Sequence, residues 1–223
     1  MRSEIVERMR GIYVIVDPEH TNNRNVIEVA KAAFNGGAAT VQLRDKISSK
    51  RTIVETATEI QKLANDAGSL FIMNDHADIA RIVASDGLHV GQKDISVEDS
   101  RVVLDDRQIV GTSNALVTEA QESERIGADY LAVGAMFPTA TKIDTRPAGL
   151  ETLTEIRAKT STHIVAIGGI NESNLNAVLA AGADSICIAS AITKAEDVEA
   201  AARSLSLIHI SEPTRRYAIS YAV

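Results

Sequence analysis

The chain has 223 residues, of which 45% are hydrophobic and 24% charged, the balance of an ordinary globular protein. Its net charge of −7 argues against nucleic acid as a partner, because phosphates need a basic surface. It has no run of about 18 apolar residues, so no membrane span is predicted. One cysteine, Cys187, excludes an intrachain disulfide and is interpreted as a small buried side chain. The N-terminus has acidic residues and no apolar signal segment, so we expect a cytoplasmic protein.

Short aliphatic runs alternate with helical patterns along the chain. Aromatic residues are only 3%, so the core is aliphatic, as in parallel sheets covered on both faces. The predicted strands are 11–16, 39–43, 69–73, 87–90, 108–111, 130–134, 163–168 and 185–189. Eight βα units predict an α/β fold of one domain, the (β/α)8 TIM barrel. The alternative is an open doubly wound sheet, but the glycine-rich loop usual after its first strand is replaced here by DPEH.

Capping residues predict where helices begin. Ser48 or Ser49 precedes a segment with apolar residues at helical spacing, and Gly68 ends that segment. Ser96 begins another helix with acidic residues in its first turn. Thr118 with Gln121 has the spacing of a capping box.

The C-terminal end departs from the βα pattern. After the last predicted helix comes LIHISEPTRRYAISYAV, which contains a proline, an arginine pair and a strand-like run, although a closed eight-stranded barrel has no place for a ninth strand. LIHISEPTRR is similar to the translated read-through of a sequencing-library adapter. We therefore expect a native domain over 1–206 and a non-native tail over 207–223. The alternative is a genuine C-terminal extension.

Charged residues follow the predicted strands at the end where TIM barrels have their active sites. Asp75 and Asp94 suit Mg²⁺, which takes few carboxylates and completes its shell with water and substrate phosphates. The alternative for Asp75 is a helix N-cap. Arg44, Lys46 and Lys142 are cations on different strand ends which, with a metal, would hold a diphosphate. The alternative is that they are solvated loop charges.

A second anion-binding region is predicted after strands seven and eight. IGGI and the start of the following helix match the phosphate site of many barrels, with the N–H groups of Gly169, Ala189 and Ser190 as donors. Two phosphate regions in one mouth imply two phosphorylated ligands or one bis-phosphorylated ligand. This arrangement favours transfer of a group from a diphosphate leaving group.

Several segments, in their order and spacing, resemble the thiamine-phosphate synthase family: YVIVD, VQLRDK, FIMND, GLHVGQKD, GTS, FPTATK, VAIGGI and IASAI. The resemblance covers about 11–204, and QLRDK, ND, GQxD and FPTxTK together are specific, whereas IGGI is not. It implies a Mg²⁺-dependent transferase of thiamine biosynthesis. The family condenses 4-amino-2-methyl-5-hydroxymethylpyrimidine diphosphate with 4-methyl-5-(2-phosphoethyl)thiazole, giving thiamine phosphate and diphosphate.

The resemblance also implies which residues form the site. The pyrimidine diphosphate would contact Gln42, Arg44, Lys46, Asn74, Ser113 and Lys142. The thiazole phosphate would contact Thr139, Thr141, Gly169, Ala189 and Ser190. Mg²⁺ would be held by Asp75 and Asp94. The implied catalytic residues are Arg44, Lys46, Ser113 and Lys142. In the implied reaction diphosphate leaves first, a pyrimidine-methyl cation forms, and the thiazole nitrogen attacks it.

One position departs from the family pattern. Two residues after the serine of GTS, where a histidine is common, this chain has Ala115, with Asn114 as the candidate to compensate. In related thiazole tautomerases that histidine is the implied proton-transfer base. The alternatives to the synthase are therefore a tautomerase-like isomerase and a non-catalytic binder of thiamine intermediates on the same barrel. Because Ala115 stands where the tautomerase base would be, it argues against the isomerase.

The segment VQLRDK contains two further residues, Gln42 and Asp45, whose side-chain positions can be predicted. Strand alternation points Gln42 away from the side of Val41 and Leu43. Asp45 is predicted to hold Arg44 or Lys46 in position. The sequence leaves the oligomeric state open, a homo-oligomer included.

Overall fold

The computed structural model describes residues 1–138 and 146–207, and its centre is a closed barrel of eight parallel strands. The strands are β1 Gly11–Val16, β2 Thr40–Leu43, β3 Leu70–Asn74, β4 Gly87–Val90, β5 Ile109–Asn114, β6 Tyr130–Gly134, β7 His163–Ile167 and β8 Ser185–Ile188. Neighbours in sequence pair in order, and β8 closes on β1 with Gly11 opposite Ser185. The TIM-barrel prediction is confirmed, and closure excludes the open sheet.

Helices connect the strands on the outside of the barrel. They are α1 Arg2–Arg8, α2 Val26–Asn35, α3 Lys50–Ala67, α4 Ala77–Ile82, α5 Val97–Val103, α6 Val117–Arg125, α7 Gly149–Lys159, α8 Leu175–Ala180 and α9 Ser190–Thr193. A further helix, α10, covers 198–207. Across both described ranges, no helix is long and apolar enough to cross a membrane.

Six of the eight strands place alternate side chains in two separate apolar cores, and β2 and β4 contribute only to the larger one. The larger core lies between the strands and the helices and includes Val41 and Leu43. The smaller core fills the barrel interior: Met9, Tyr13, Leu70, Ile72, Ile109, Tyr130, Ala132, Val165 and Cys187. Gln42 bonds to Tyr13 and so points inward, as alternation predicted.

Some predicted element boundaries are confirmed and others are wrong. Ser49 is the N-cap of α3, with its side chain accepting from the Thr52 N–H, and Ser96 caps α5 in the same way. The Thr118–Gln121 capping box is wrong, because α6 already begins at Val117 and its Glu119 carboxylate takes the N–H groups before the helix. β5 also extends to Asn114, so the GTS segment lies within the strand.

The two ends of the described chain pack against the barrel. At the N-terminal end of the strands, α1 covers the interior through Ile5 and Val6. On the outside, α10 buries Ala202 and Leu205 and approaches Gly36 so closely that a Cβ there would lie 2.5 Å from the Ala202 Cβ. The predicted boundary at 206/207 remains a prediction, since 208–223 lie outside the described residues.

Candidate active site

A cavity of about 380 Å³ opens at the C-terminal ends of the strands. Every predicted site residue within the described ranges lines it: Gln42, Arg44, Lys46, Asn74, Asp75, Asp94, Ser113, Gly169, Ala189 and Ser190. Thr139, Thr141 and Lys142 lie outside the described residues. The cavity size suits small-molecule ligands, and its position is the usual one for a TIM-barrel site. The barrel thus brings the two predicted anion-binding regions into one space.

The two cations of VQLRDK are each paired with a carboxylate from another strand end. The Arg44 guanidinium donates to Asp17, which follows β1 and is only 5% exposed. The Lys46 ammonium donates to Asp75, which follows β3. These ion pairs hold both cations at the rim of the cavity, and their roles in binding stay predictions.

Asp45 has a different role from the predicted one. Its buried carboxylate accepts from the Ile47 N–H at 3.1 Å and the Ser48 N–H at 2.9 Å. The prediction that Asp45 holds Arg44 or Lys46 is therefore wrong. Asp45 shapes the turn between β2 and α3, because a short carboxylate reaches the backbone two and three residues ahead more easily than a neighbouring long side chain.

Asp75 has an unusual backbone conformation. Its φ is 60°, in the left-handed region that costs about 1–2 kcal/mol for a residue with a Cβ. Its N–H donates to the His89 carbonyl at 2.9 Å, which fixes it against the end of β4. The N-cap of α4 is His76, so the helix-cap alternative for Asp75 is not supported. Strain of this kind at a cavity is typical of a functional residue.

Asp94 lines the same cavity from the end of β4, where its Oδ2 accepts from the Gly91 N–H at 2.8 Å. Together with Asp75 it presents a pair of carboxylates, the hard oxygen donors that Mg²⁺ prefers. Within 1–138 and 146–207, no group of three or more His, Cys, Asp or Glu could hold a metal ion. Mg²⁺ bound by two carboxylates and substrate phosphates needs no such group, so the donor set fits it.

The charges described around the cavity balance one another. Three cations and three carboxylates are among the described lining residues: Arg44, Lys46, Arg146, Asp17, Asp75 and Asp94. A bound diphosphate would therefore add negative charge to a nearly neutral site. A divalent cation would compensate that charge, which is a second reason why the site fits Mg²⁺.

On the opposite side, a tight glycine turn follows β7. Gly168 and Gly169 have φ of 102° and 67°, and a Cβ on Gly169 would lie 2.8 Å from the Pro138 carbonyl oxygen. Only glycine combines this conformation with so close an approach. The turn and the Ala189–Ser190 step after β8 line the cavity together, as the phosphate-site prediction requires.

The region around Ala115 is occupied by an ion pair that the sequence did not indicate. Glu119 accepts from the Ala115 N–H at 2.8 Å and binds both terminal nitrogens of Arg146, a lining residue. Burial raises the pKa of the Glu119 carboxyl, but these hydrogen bonds outweigh burial and the pKa lies below its ordinary value. Asn114 also lines the cavity and bonds the Thr112 carbonyl and the Ser123 hydroxyl on α6, and its compensating role stays a prediction.

Sequence reasoning missed Asp17, Arg146 and the interior partners of the site. Asp17 follows the first predicted strand, and Tyr13, Tyr130 and His89 lie within predicted strands, where local sequence indicates no role at the site. The signal for Tyr13 and Tyr130 was their polarity in an otherwise aliphatic barrel. Cys187 also lines the cavity, but burial raises the pKa of its thiol, which agrees with the interpretation as a buried side chain.

Comparison with known proteins identifies the family. The model of the family described as "Thiamine monophosphate synthase" matches residues 12–192. The chain belongs to the thiamine monophosphate synthase family. The thiamine-phosphate synthase of Moorella thermoacetica is 44% identical over 195 residues, which cover 87% of this chain and 93% of that protein. The thiamine-phosphate synthase of Shouchella clausii is 42% identical with the same two coverages.

A solved structure supports the same family. The thiamine phosphate pyrophosphorylase from Pyrococcus furiosus superposes with a TM-score of 0.86 at 34% identity, covering 92% of this chain and 98% of that one. A 3-hexulose-6-phosphate synthase at 18% identity and a TM-score of 0.63 shares the fold alone. The resemblance to thiamine-phosphate synthases is thus confirmed, and this family member is an enzyme rather than a non-catalytic binder.

Proposed function

We propose that this synthase condenses 4-amino-2-methyl-5-hydroxymethylpyrimidine diphosphate with 4-methyl-5-(2-phosphoethyl)thiazole in a Mg²⁺-dependent reaction. The observation that carries the proposal is that one cavity is lined by the charged ends of β2, β3 and β4 and by the glycine turn after β7 and the first turn after β8. Two phosphorylated ligands bound in such a space have their reacting atoms held together, which removes much of the entropic cost of a two-substrate reaction.

The diphosphate occupies the side formed by β2, β3 and β5. There the C–O bond between the pyrimidine methylene and the diphosphate breaks with its electron pair on oxygen. The guanidinium fork of Arg44, the ammonium of Lys46 and the hydroxyl of Ser113 stabilise the charge that grows on the leaving group. Asn74, at the end of β3, and Lys142, outside the described residues, complete this set.

Asp75 and Asp94 would hold Mg²⁺. When the metal is bound, its charge neutralises part of the negative charge of the diphosphate. Lys46 neutralises Asp75, and the Gly91 N–H holds Asp94 in position. Both carboxylates are thus held at the mouth by groups of the protein itself. Their role is to place positive charge next to the leaving group.

The thiazole phosphate binds at the opposite side, to the N–H groups of Gly169, Ala189 and Ser190, with Thr139 and Thr141 as further contacts. The ring nitrogen then donates its lone pair to the methylene carbon, and thiamine phosphate forms. The nucleophile carries no proton at that nitrogen, so the step needs no general base. The absence of a His at position 115 is compatible with this chemistry.

The experiment is to incubate the purified full chain with both substrates, with Mg²⁺ or with EDTA, and to measure diphosphate and thiamine phosphate. We expect both products in equal amounts and only with Mg²⁺. A folded protein that releases no diphosphate would contradict the transferase, and equal rates in EDTA would contradict the metal. Isomerisation of a thiazole substrate without diphosphate release would instead support the tautomerase alternative.

The metal ligands are tested by Asp94→Asn, which keeps the size of the side chain and an oxygen for the Gly91 N–H. We expect kcat to fall about 100-fold and the Mg²⁺ concentration for half-maximal rate to rise, because one ligand charge is lost. Asp106→Asn is the control, since Asp106 is exposed on the turn before β5 at the other end of the barrel. Unchanged metal dependence in Asp94→Asn would remove Asp94 from the metal site.

A further inference from the structure

A line of hydrogen-bonded side chains crosses the barrel interior from β2 to β5. Gln42 Nε2 lies 2.6 Å from Tyr13 Oη, and Tyr13 Oη lies 3.2 Å from Tyr130 Oη. Tyr130 Oη lies 3.0 Å from His89 Nδ1, and His89 Nε2 lies 2.9 Å from Ser113 Oγ. We call these five residues the interior network. They come from five different strands, and the network links two predicted substrate contacts, Gln42 and Ser113.

The two tyrosines are the hidden part of the interior network. Gln42, His89 and Ser113 line the cavity, whereas Tyr13 and Tyr130 do not and are packed among the apolar interior side chains. Burial raises the pKa of both phenols well above the ordinary value, so they stay protonated and act as donors. A buried O–H without an acceptor costs about 1–3 kcal/mol, so each proton is directed to the next oxygen or nitrogen along the line.

This requirement gives the interior network a direction. Gln42 donates from its amide nitrogen to Tyr13, so the Tyr13 proton goes to Tyr130. The Tyr130 proton then goes to His89 Nδ1, which must be the acceptor nitrogen. A neutral His89 therefore carries its proton on Nε2 and donates it to Ser113 Oγ. The hydroxyl proton of Ser113 remains for a group in the cavity.

The geometry of the interior network also depends on a glycine. A Cβ on Gly111 of β5 would lie 1.9 Å from the Tyr130 Cζ, so any side chain there would displace the ring. The Tyr130 ring lies against the His89 ring, with centroids 5.8 Å apart and planes inclined by 29°. Ring packing and hydrogen bonds thus hold His89 in one orientation.

We propose that Tyr13, Tyr130 and His89 are positioning residues that set the hydrogen-bond polarity of the site. Through His89, Tyr130 makes the Ser113 hydroxyl a donor toward the cavity, where it meets an anionic phosphate oxygen. Through Tyr13, the network commits the Gln42 amide nitrogen to the barrel and leaves the amide oxygen as the acceptor for a ligand. The identity of the ligand groups rests on the proposed function, but the polarity follows from the hydrogen bonds of the interior network.

The tautomer of His89 tests the polarity directly. Two-dimensional ¹⁵N–¹H NMR of the ligand-free protein, with the His89 signals assigned by their loss in His89→Gln, should show the Nε2–H form. Tyr130→Phe removes the donor to Nδ1, and we expect a mixture of tautomers. Tyr13→Phe removes an equally buried hydroxyl but leaves the bond from Tyr130 to His89, so it should keep the Nε2–H form. An Nδ1–H tautomer of His89 in the unmodified chain would overturn the proposal, whatever the tyrosine variants show.

Binding of inorganic diphosphate with Mg²⁺, measured by calorimetry, tests the consequence for Ser113. We expect Kd to rise about 5-fold in Ser113→Ala and by a similar factor in Tyr130→Phe, as for one lost hydrogen bond. The double variant should bind no more weakly than Ser113→Ala, because Tyr130 acts through Ser113. Additive losses, or an unchanged Kd in Tyr130→Phe, would reduce Tyr130 to a packing residue and overturn the proposal.

The tautomer and the diphosphate binding are both measured without turnover. The proposed function and the positioning role can therefore be contradicted independently. A chain with the Nε2–H tautomer and non-additive diphosphate binding that released no diphosphate from the substrates would reject the proposed function and keep this inference. A chain that formed thiamine phosphate with an Nδ1–H tautomer would do the reverse.

Discussion

Arg44 is held at the cavity by Asp17, a carboxylate from the neighbouring strand end. Asp17 also accepts from the Glu19 N–H at 3.0 Å, which begins a short 3₁₀ turn over Pro18–His20. The carboxylate is thus fixed by the backbone before it binds the guanidinium. A planar guanidinium held in this way keeps its remaining N–H groups in a defined direction, which suits binding of a phosphate.

We predict that Asp17→Asn lowers kcat/KM for the pyrimidine diphosphate about 10-fold and leaves KM for the thiazole phosphate unchanged. The amide oxygen can still accept from the Glu19 N–H, but the charge that orients Arg44 is lost. Steady-state kinetics with each substrate varied in turn provides the measurement.

Asp105→Asn is the matched control for Asp17→Asn. Asp105 also accepts from a backbone N–H two residues ahead, that of Arg107, and has an arginine partner in Arg81, but it lies away from the cavity. Asp105→Asn should leave kcat/KM for the pyrimidine diphosphate and KM for the thiazole phosphate unchanged. Tighter binding of the pyrimidine diphosphate in Asp17→Asn would mean that Asp17 competes for Arg44 instead of positioning it.

At the scale of elements, the turn from β2 into α3 places both cations of VQLRDK. Asp45 binds the N–H groups of the turn, and Ser49 then caps the helix by accepting from the Thr52 N–H at 3.3 Å. The chain therefore leaves the strand, exposes Lys46 and enters α3 in a fixed path. The conformation of this connection is set by short polar side chains rather than by burial.

Ser49→Ala should lower the free energy of unfolding by about 1 kcal/mol, the usual cost of losing an N-cap. Ser48→Ala is the control, because Ser48 contributes its backbone N–H to Asp45 and alanine retains that group. We expect a change within about 0.5 kcal/mol for it. Urea denaturation of the two variants measures the difference. A larger loss in Ser48→Ala than in Ser49→Ala would show that the cap is assigned to the wrong serine.

For the whole molecule, the barrel separates stability from chemistry at its two ends. The cavity lies at the C-terminal ends of the strands, whereas α1 covers the interior at their N-terminal ends. There His163, at the start of β7, bonds the Ser185 hydroxyl at 2.8 Å, and Ser185 donates to the Met9 carbonyl at 2.7 Å. These bonds join the closing strand to the segment that enters β1.

His163 predicts a pH dependence of stability. Burial lowers the pKa of His163 to about 4, against about 6.5 for an exposed histidine. The unfolded chain therefore binds the proton first. The contribution of neutral His163 to the free energy of unfolding is fully present above about pH 6.5. It is lost as the pH falls toward 4, and the loss amounts to up to about 3 kcal/mol.

The comparison with His163→Gln isolates this effect from the titration of the carboxylates. Glutamine retains a donor for the Ser185 hydroxyl but does not titrate. The unfolding free energies of the two proteins, measured between pH 7 and 4, should converge as the pH falls. A constant difference over that range would mean that His163 is not the titrating group.

Local sequence patterns predicted the barrel and the charged and glycine residues at the mouth of the cavity. Strand periodicity and the alternation of elements depend on local composition, so eight runs separated by helical patterns predict closure. Residues such as Asp75 and Gly169 could be assigned to the mouth because every parallel strand of a barrel ends on the same side. The residue-level roles of those predicted contacts stay predictions.

The pairing of side chains across the barrel follows from the fold and not from any local pattern. Arg44 with Asp17, Lys46 with Asp75, and Tyr130 with His89 join residues that are 27 to 41 positions apart in sequence. No local pattern records these pairings, because they depend on barrel closure and on the space that Gly111 leaves for an aromatic ring. Asp45 shows the converse: its predicted partners were the neighbouring Arg44 or Lys46, but its short side chain binds the backbone N–H groups of the turn that follows it.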